Sequence, residues 1–208
     1  MRCLLFLLGS FSISACASTA VPGGVGERVD IATAHPSAAP IAPSATCDVT
    51  TSTEPAVSRD HQAPCQLIGY PYVPPVSGNH YSIWANYTTY DAPVPWGFLV
   101  HSMEHGAIVL AYDPASVAAT DIRAAFAAVI SAHGADPICR AETWTSRIIV
   151  VPAHDLRTPL AALAWEHTYE ATCIDMPSLL AFVDARYGHA PEAFCGAGED
   201  ASRTGWCS

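Results

Sequence analysis

Lysine is absent from this 208-residue chain, so its fixed positive charge rests on nine arginines set against 19 acidic residues. The formal net charge is −10, and an acidic surface of this kind repels nucleic-acid phosphates and anionic lipid headgroups. Nucleic acid is excluded as a partner, and so is membrane docking through basic residues. Also missing are a G-x-S-x-G elbow, a phosphate-binding loop and a dinucleotide fingerprint, which removes the commonest sequence routes to a hydrolase or nucleotide enzyme. No cysteines stand in C-x-x-C or another zinc-ligand spacing, which argues against a thiolate metal site or a thioredoxin-type redox pair.

What is present begins with an address. Residues 1–15 carry Arg2, an apolar run from Leu4 to Leu8 that extends to Ile13, and then small residues, a secretory signal too short to span a bilayer. Ile13-Ser14-Ala15-Cys16 fits a lipobox, in which Cys16 becomes the acylated N-terminus and tethers the protein to a membrane. Cleavage after Ala15-Cys16-Ala17 is the alternative. Both readings put the protein outside the cytoplasm. Ala17, rather than Asp, after the acylated cysteine favours the outer membrane in a host with two, as in other lipoproteins.

Beyond Cys3 and Cys16, six cysteines remain: Cys47, Cys65, Cys139, Cys173, Cys195 and Cys207. An even number in an oxidising compartment reads as three disulfides. Six cysteines allow more pairings than sequence can decide among, although proximity favours 47 with 65, 195 with 207, and 139 with 173. Residues 16–46, rich in Ala, Pro, Ser, Thr and Gly, lack the apolar content for a core and are expected to form a disordered linker after the lipidated cysteine, with an r.m.s. span of roughly 30 Å. Residues 47–208 make one domain.

That domain opens with a long Pro/Gly-rich stretch, 47–98, expected to be a wrapped loop. Strands are predicted at 107–112 and 147–151. Helices are predicted at 120–134, with apolar residues at Ile122, Phe126, Val129 and Ile130, and at 177–187, with Pro177 early and Gly188 just past the end. Leu160–Tyr169 fits either a strand or a helix. The order predicts an α+β fold in which a small, mostly antiparallel sheet carries two helices on one face, with a ferredoxin-like arrangement as the leading expectation.

The chemistry concentrates in two short stretches, Pro-Pro-Val-Ser-Gly-Asn-His-Tyr at 74–81 and His-Ser-Met-Glu-His-Gly at 101–106. In a helix, His101, Glu104 and His105 share one flank, an H-x-x-E-H arrangement suited to zinc. In a strand, Met103 joins the two histidines instead and Glu104 turns away, a set suited to cuprous copper. Pro95 can open a helix and Gly106 can close one, which favours the helix. His80, held at a sharp bend by Ser77-Gly78-Asn79, supplies a third imidazole. The expected metal site is therefore His80, His101, His105 and Glu104, holding zinc or copper. Against it stands a buried polar network that locks the loop onto the sheet without a metal.

The pattern PP-x-SG-x-HY, then Val94-Pro95, then H-x-x-EHG before a strand resembles a family of extracytoplasmic bacterial domains of unknown function, over about residues 70–192. The resemblance implies that Glu is kept at 104 and only an apolar residue at 103. It also favours a strand at Leu160–Tyr169, because family members have an apolar run ending in tryptophan where this chain has Trp165. This chain departs from the pattern at Glu166-His167, where a glycine often follows. Three functions remain: a lipid-tethered module that binds zinc or copper, a small metallohydrolase with Glu104 as general base and Glu166 or Glu170 as a further ligand, and a metal-free interaction module. The binding module, without enzymatic activity, ranks first. No protein partner can be read from the sequence.

Overall fold

Three apolar runs, at 108–112, 148–152 and 160–164, are buried along their whole length. Strands of that kind need cover on both faces of a sheet. The computed structural model describes residues 20–139, 145–201 and 207, and supplies both covers. In chain order its elements are β1 (Val21–Pro22), β2 (Val29–Ala34), β3 (Val49–Thr53), β4 (His61–Gln62), β5 (Ile68–Gly69), β6 (His80–Tyr81), α1 (Trp96–Glu104), β7 (Ile108–Tyr112), α2 (Ala119–His133), β8 (Ile148–Pro152), β9 (Leu160–Ala164), β10 (His167–Ala171) and α3 (Met176–Arg186). Six of the strands form one sheet in the order β2-β3-β10-β9-β7-β8, antiparallel throughout except where β7 pairs with β8.

Alternation along β7 sorts its residues between two cores. Ile108, Leu110 and Tyr112 pack with Ile122, Phe126 and Val129 of α2 and Leu179, Phe182 and Val183 of α3. Val109 and Ala111 point the other way, into a core with Phe98, Leu99 and Met103 of α1 and loop residues such as Val76, Tyr87 and Tyr90. The fold is thus α+β with α2 and α3 on one face, as the sequence predicts. The ferredoxin-like arrangement is not met: that topology splits its parallel βαβ unit with another strand, whereas β7 and β8 pair directly, and α3 follows the last strand instead of joining two.

A further correction concerns the N-terminal part. Within the stretch expected to be a disordered linker, residues 29–34 are β2, an edge strand paired with β3. All six residues of β2 are exposed, so the backbone ladder holds it and no apolar pattern announces it. Just before it, the side chain of Arg28 is buried and pairs with the fully buried Glu54 at 2.7 Å. The signal segment and Cys16 lie outside the described residues.

The disulfides join Cys47 to Cys173, Cys65 to Cys207 and Cys139 to Cys195, none of the pairs that proximity favours. Strand register overrides sequence distance: β3 and β10 set Val49 opposite Ala171, and the same antiparallel register carried two residues further brings Cys47 to Cys173, with Cα atoms 5.1 Å apart. Three such bonds belong to an oxidising, extracytoplasmic environment. Among the described residues, no helix is long and apolar enough to cross a membrane.

Leu160–Tyr169 proves to be a hairpin, not one strand. Ala164 faces His167 across a two-residue turn in which Glu166 takes φ +63°, a left-handed conformation that glycine adopts most readily. Surrounding chain secures it: Glu166 N–H donates to Val76 O and its own carbonyl accepts from Glu54 N–H, both at 2.9 Å.

Candidate metal centre

On the α1 face, three chain segments meet. Pro95 precedes α1, and the helix stops where Gly106 takes φ +86°, a position where a Cβ would come within 2.6 Å of the Arg147 guanidinium. The helical reading of 101–105 therefore holds, so His101 and Glu104 share a flank while Met103 turns into the core. The thioether alternative falls with the strand.

The bend at 77–79 fixes the second segment. Gly78 has φ +95°, and its Cα approaches Gly23 O so closely that any Cβ would collide. Asn79 then ties the third segment to the second: its amide donates to Pro22 O at 2.8 Å, and its Oδ1 accepts from Ser58 Oγ at 2.7 Å and Asp60 N–H at 2.9 Å. The chain leaving Asp60 enters β4, whose parallel pairing with β6 sets His61 directly beside His80.

The result is a cluster of His61, His80, His101 and Glu104, whose donor atoms all lie within 4.8 Å of one another. Imidazole centroids stand 4.7 Å apart for His80 and His101, 4.8 Å for His61 and His101, and 4.9 Å for His61 and His80. The side chains of His80 and Glu104 are at most 3% exposed, and that of His61 is 51% exposed, so the cluster is buried on three sides and reaches solvent at His61.

Hydrogen bonds fix the tautomers. His80 Nδ1 lies 2.8 Å from Gly78 O and His101 Nδ1 lies 2.6 Å from Tyr81 O. A carbonyl can only accept, so each Nδ1 carries the proton and each neutral ring keeps its Nε2 lone pair for the cluster. Buried His80 Nε2 has no hydrogen-bond partner among the described residues, although Glu104 Oε2 is 2.9 Å away. A lone pair facing a carboxylate oxygen needs a proton or a metal ion between them. Burial, reinforced by His80 and His105, pushes His101 down to about 3, so this ring is neutral at ordinary pH. Burial pushes Glu104 up, but the adjacent His80, His101 and Arg59 outweigh it and hold the carboxyl below its usual range.

Of the residues that the sequence singles out, the structure brings together His80, His101 and Glu104. His105 adjoins the cluster, its ring centroid 4.6 Å from that of His101, but lies outside the four-donor set: it occupies the C-cap of α1, and its Nε2 lies 3.3 Å from Glu192 while its ring packs against Trp84 and Phe194. Burial also pushes His105 down, against Glu192 and Glu104. The carboxylates considered for a hydrolase are engaged elsewhere, Glu166 accepting from Ala56 N–H at 2.8 Å and Glu170 pairing with Arg157 at 2.5 Å. All six cysteines named above are in disulfides and offer no thiolate. His61 is the residue that sequence reasoning misses. Nothing in its spacing marks it, because a two-residue parallel pairing with β6 brings it in.

A comparison with protein families now bears on the same segment. The profile described as "Protein of unknown function (DUF3105)" matches residues 61–197. The chain belongs to the DUF3105 family. That match takes in all four clustered groups of this DUF3105 member, from His61 onward. Curated proteins and solved structures give no match.

Three imidazoles and one carboxylate make a donor set suited to zinc or cupric copper. Tetrahedral coordination with bonds of about 2.0–2.1 Å sets ligand atoms about 3.3 Å apart, so the widest separation has to close by about 1.5 Å. Exposed His61 is the ligand freest to move.

Proposed function

We propose that this DUF3105 member binds a divalent transition metal, zinc or copper, through His61, His80, His101 and Glu104, as a lipid-tethered extracytoplasmic module. The observation that carries this reading is the His80 side chain. Its proton is committed to Gly78 O, and its buried Nε2 faces Glu104 in a group of four donors within 4.8 Å. With Nδ1–H donated to Gly78 O, a neutral His80 turns a lone pair toward the carboxylate, and a metal ion shared by the two satisfies both. Four protein donors fill a tetrahedral shell, which suits holding an ion more than activating water on it. A hydrolase gains less support, since Glu104 would have to serve as both ligand and base.

The tether is read from the lipobox at Cys16. Replacing Cys16 by Ser is expected to release the protein from membranes, and a mature N-terminus at Ser18 would contradict acylation. For the metal, elemental analysis of protein purified from its native compartment should find one zinc or copper per chain. Protein that carries none and binds neither at micromolar concentration would instead be a metal-free interaction module.

A further inference from the structure

We infer that Arg59 and His61 form an exchange gate on the metal centre, with Arg59 taking hold of Glu104 as the ion leaves past His61. This inference rests on the metal reading above. Arg59 Nη1 lies 3.2 Å from Glu104 Oε1, while the other carboxylate oxygen faces His80 at 2.9 Å and His61 at 3.9 Å. The guanidinium therefore already holds the only carboxylate in the donor set. A divalent ion on three neutral imidazoles and Glu104 leaves one net positive charge, and Arg59 adds another beside it. Arg59 and the ion compete for the same negative group.

The geometry places this competitor at the exit. Arg59 and His61 are half exposed, at 49% and 51%, whereas Glu104 and His80 are at most 3% exposed. The two residues stand on one short segment, hung from Asn79 through Ser58 and Asp60. A movement of that segment withdraws the His61 imidazole and presents the guanidinium together. Arg59 also has a second place to go. A cavity of about 460 Å³ opens beside it, lined by Arg59, Glu166, His167 and His189. Glu166, anchored there by its bond to Ala56 N–H, provides an alternative carboxylate. In the loaded state Arg59 turns toward Glu166, and on release it returns to Glu104. Such a centre hands its ion on to a donor group that approaches from the His61 side.

The test uses zinc at fixed pH on the full-length protein, with affinity from calorimetry and release followed by stopped-flow transfer to excess 4-(2-pyridylazo)resorcinol. Arg59→Gln is expected to bind zinc on the order of ten-fold more tightly and to release it more slowly, because a like charge beside the ion is gone. Arg59→Lys keeps the charge and should stay near wild type. Glu166→Gln retains the bond to Ala56 and should weaken zinc two- to three-fold, roughly the cost of one exposed ion pair. Unchanged affinity in that variant removes the cavity as the second seat of Arg59. Arg59→Gln that binds no tighter or releases no slower overturns the gate while leaving the metal centre standing. Wild-type protein that binds no zinc overturns both.

Discussion

The two faces of the sheet are built by different means. On one, α2 and α3 bury Ile122, Phe126, Val129, Leu179 and Val183 against β7 and β9, an apolar contact with helical spacing on both sides. On the other, α1 and a Pro/Gly-rich wrap enclose His80, His101, Glu104 and His105, and the wrap is pinned by individual bonds, such as those of Asn79 and Glu166. The first face holds the fold and the second holds the chemistry. A buried polar group costs stability unless it is paired, so the second face is tolerated because the first supplies the core.

Substitutions should separate the two faces. The largest effect on function is expected from His80→Ala or His101→Ala: zinc affinity should fall by more than the 10–100-fold, approximately, that outer-shell partners cost, while the metal-free protein loses only about 1–3 kcal/mol from the carbonyl of Gly78 or Tyr81 left unpaired. Titration calorimetry and melting curves on the same samples check this. Phe126→Ala on the helix face should do the reverse. It should cost about 3–5 kcal/mol by denaturant unfolding, with zinc affinity of the folded fraction unchanged.

Removing the Cys47–Cys173 bond with a paired Ala substitution should cost about 2–4 kcal/mol, because it closes a long loop at the end of the β3–β10 ladder. The expected signature is a lower melting temperature with the metal site intact. A further effect is the pH dependence of the metal-free protein. His101 has a folded pKa of about 3, below its ordinary value of 6.5, so the unfolded chain takes up the proton first. Stability is full above that value and declines as pH falls from 6.5 toward 3, by about 1.4 kcal/mol per unit within the window. His105 and His167, also lowered chiefly by burial, act in the same direction. A melting temperature that is flat from pH 7 to pH 5 would contradict the buried neutral rings.

The same division explains what could be read from the chain. The helix face is written in periodicity, and α2, α3, β7 and β8 lie within a residue or two of their predicted bounds. On the other face, α1 is legible because Pro95 and Gly106 punctuate it, and with it the flank shared by His101 and Glu104. His61 is not, because a non-local pairing of two residues delivers it. β2 escapes for a related reason, being held by backbone bonds alone, and the disulfides follow a register that no spacing encodes. Glu166 shows the converse: the residue at which this chain departs from the expected pattern is the left-handed residue of a hairpin turn, a conformation that glycine adopts most readily.

The central claim, that four groups including His61 and excluding His105 form the metal centre, is tested most directly by parallel zinc titrations of His61→Ala and His105→Ala. Loss of affinity in the first with retention in the second is the expected result. Loss in the second with retention in the first would contradict it.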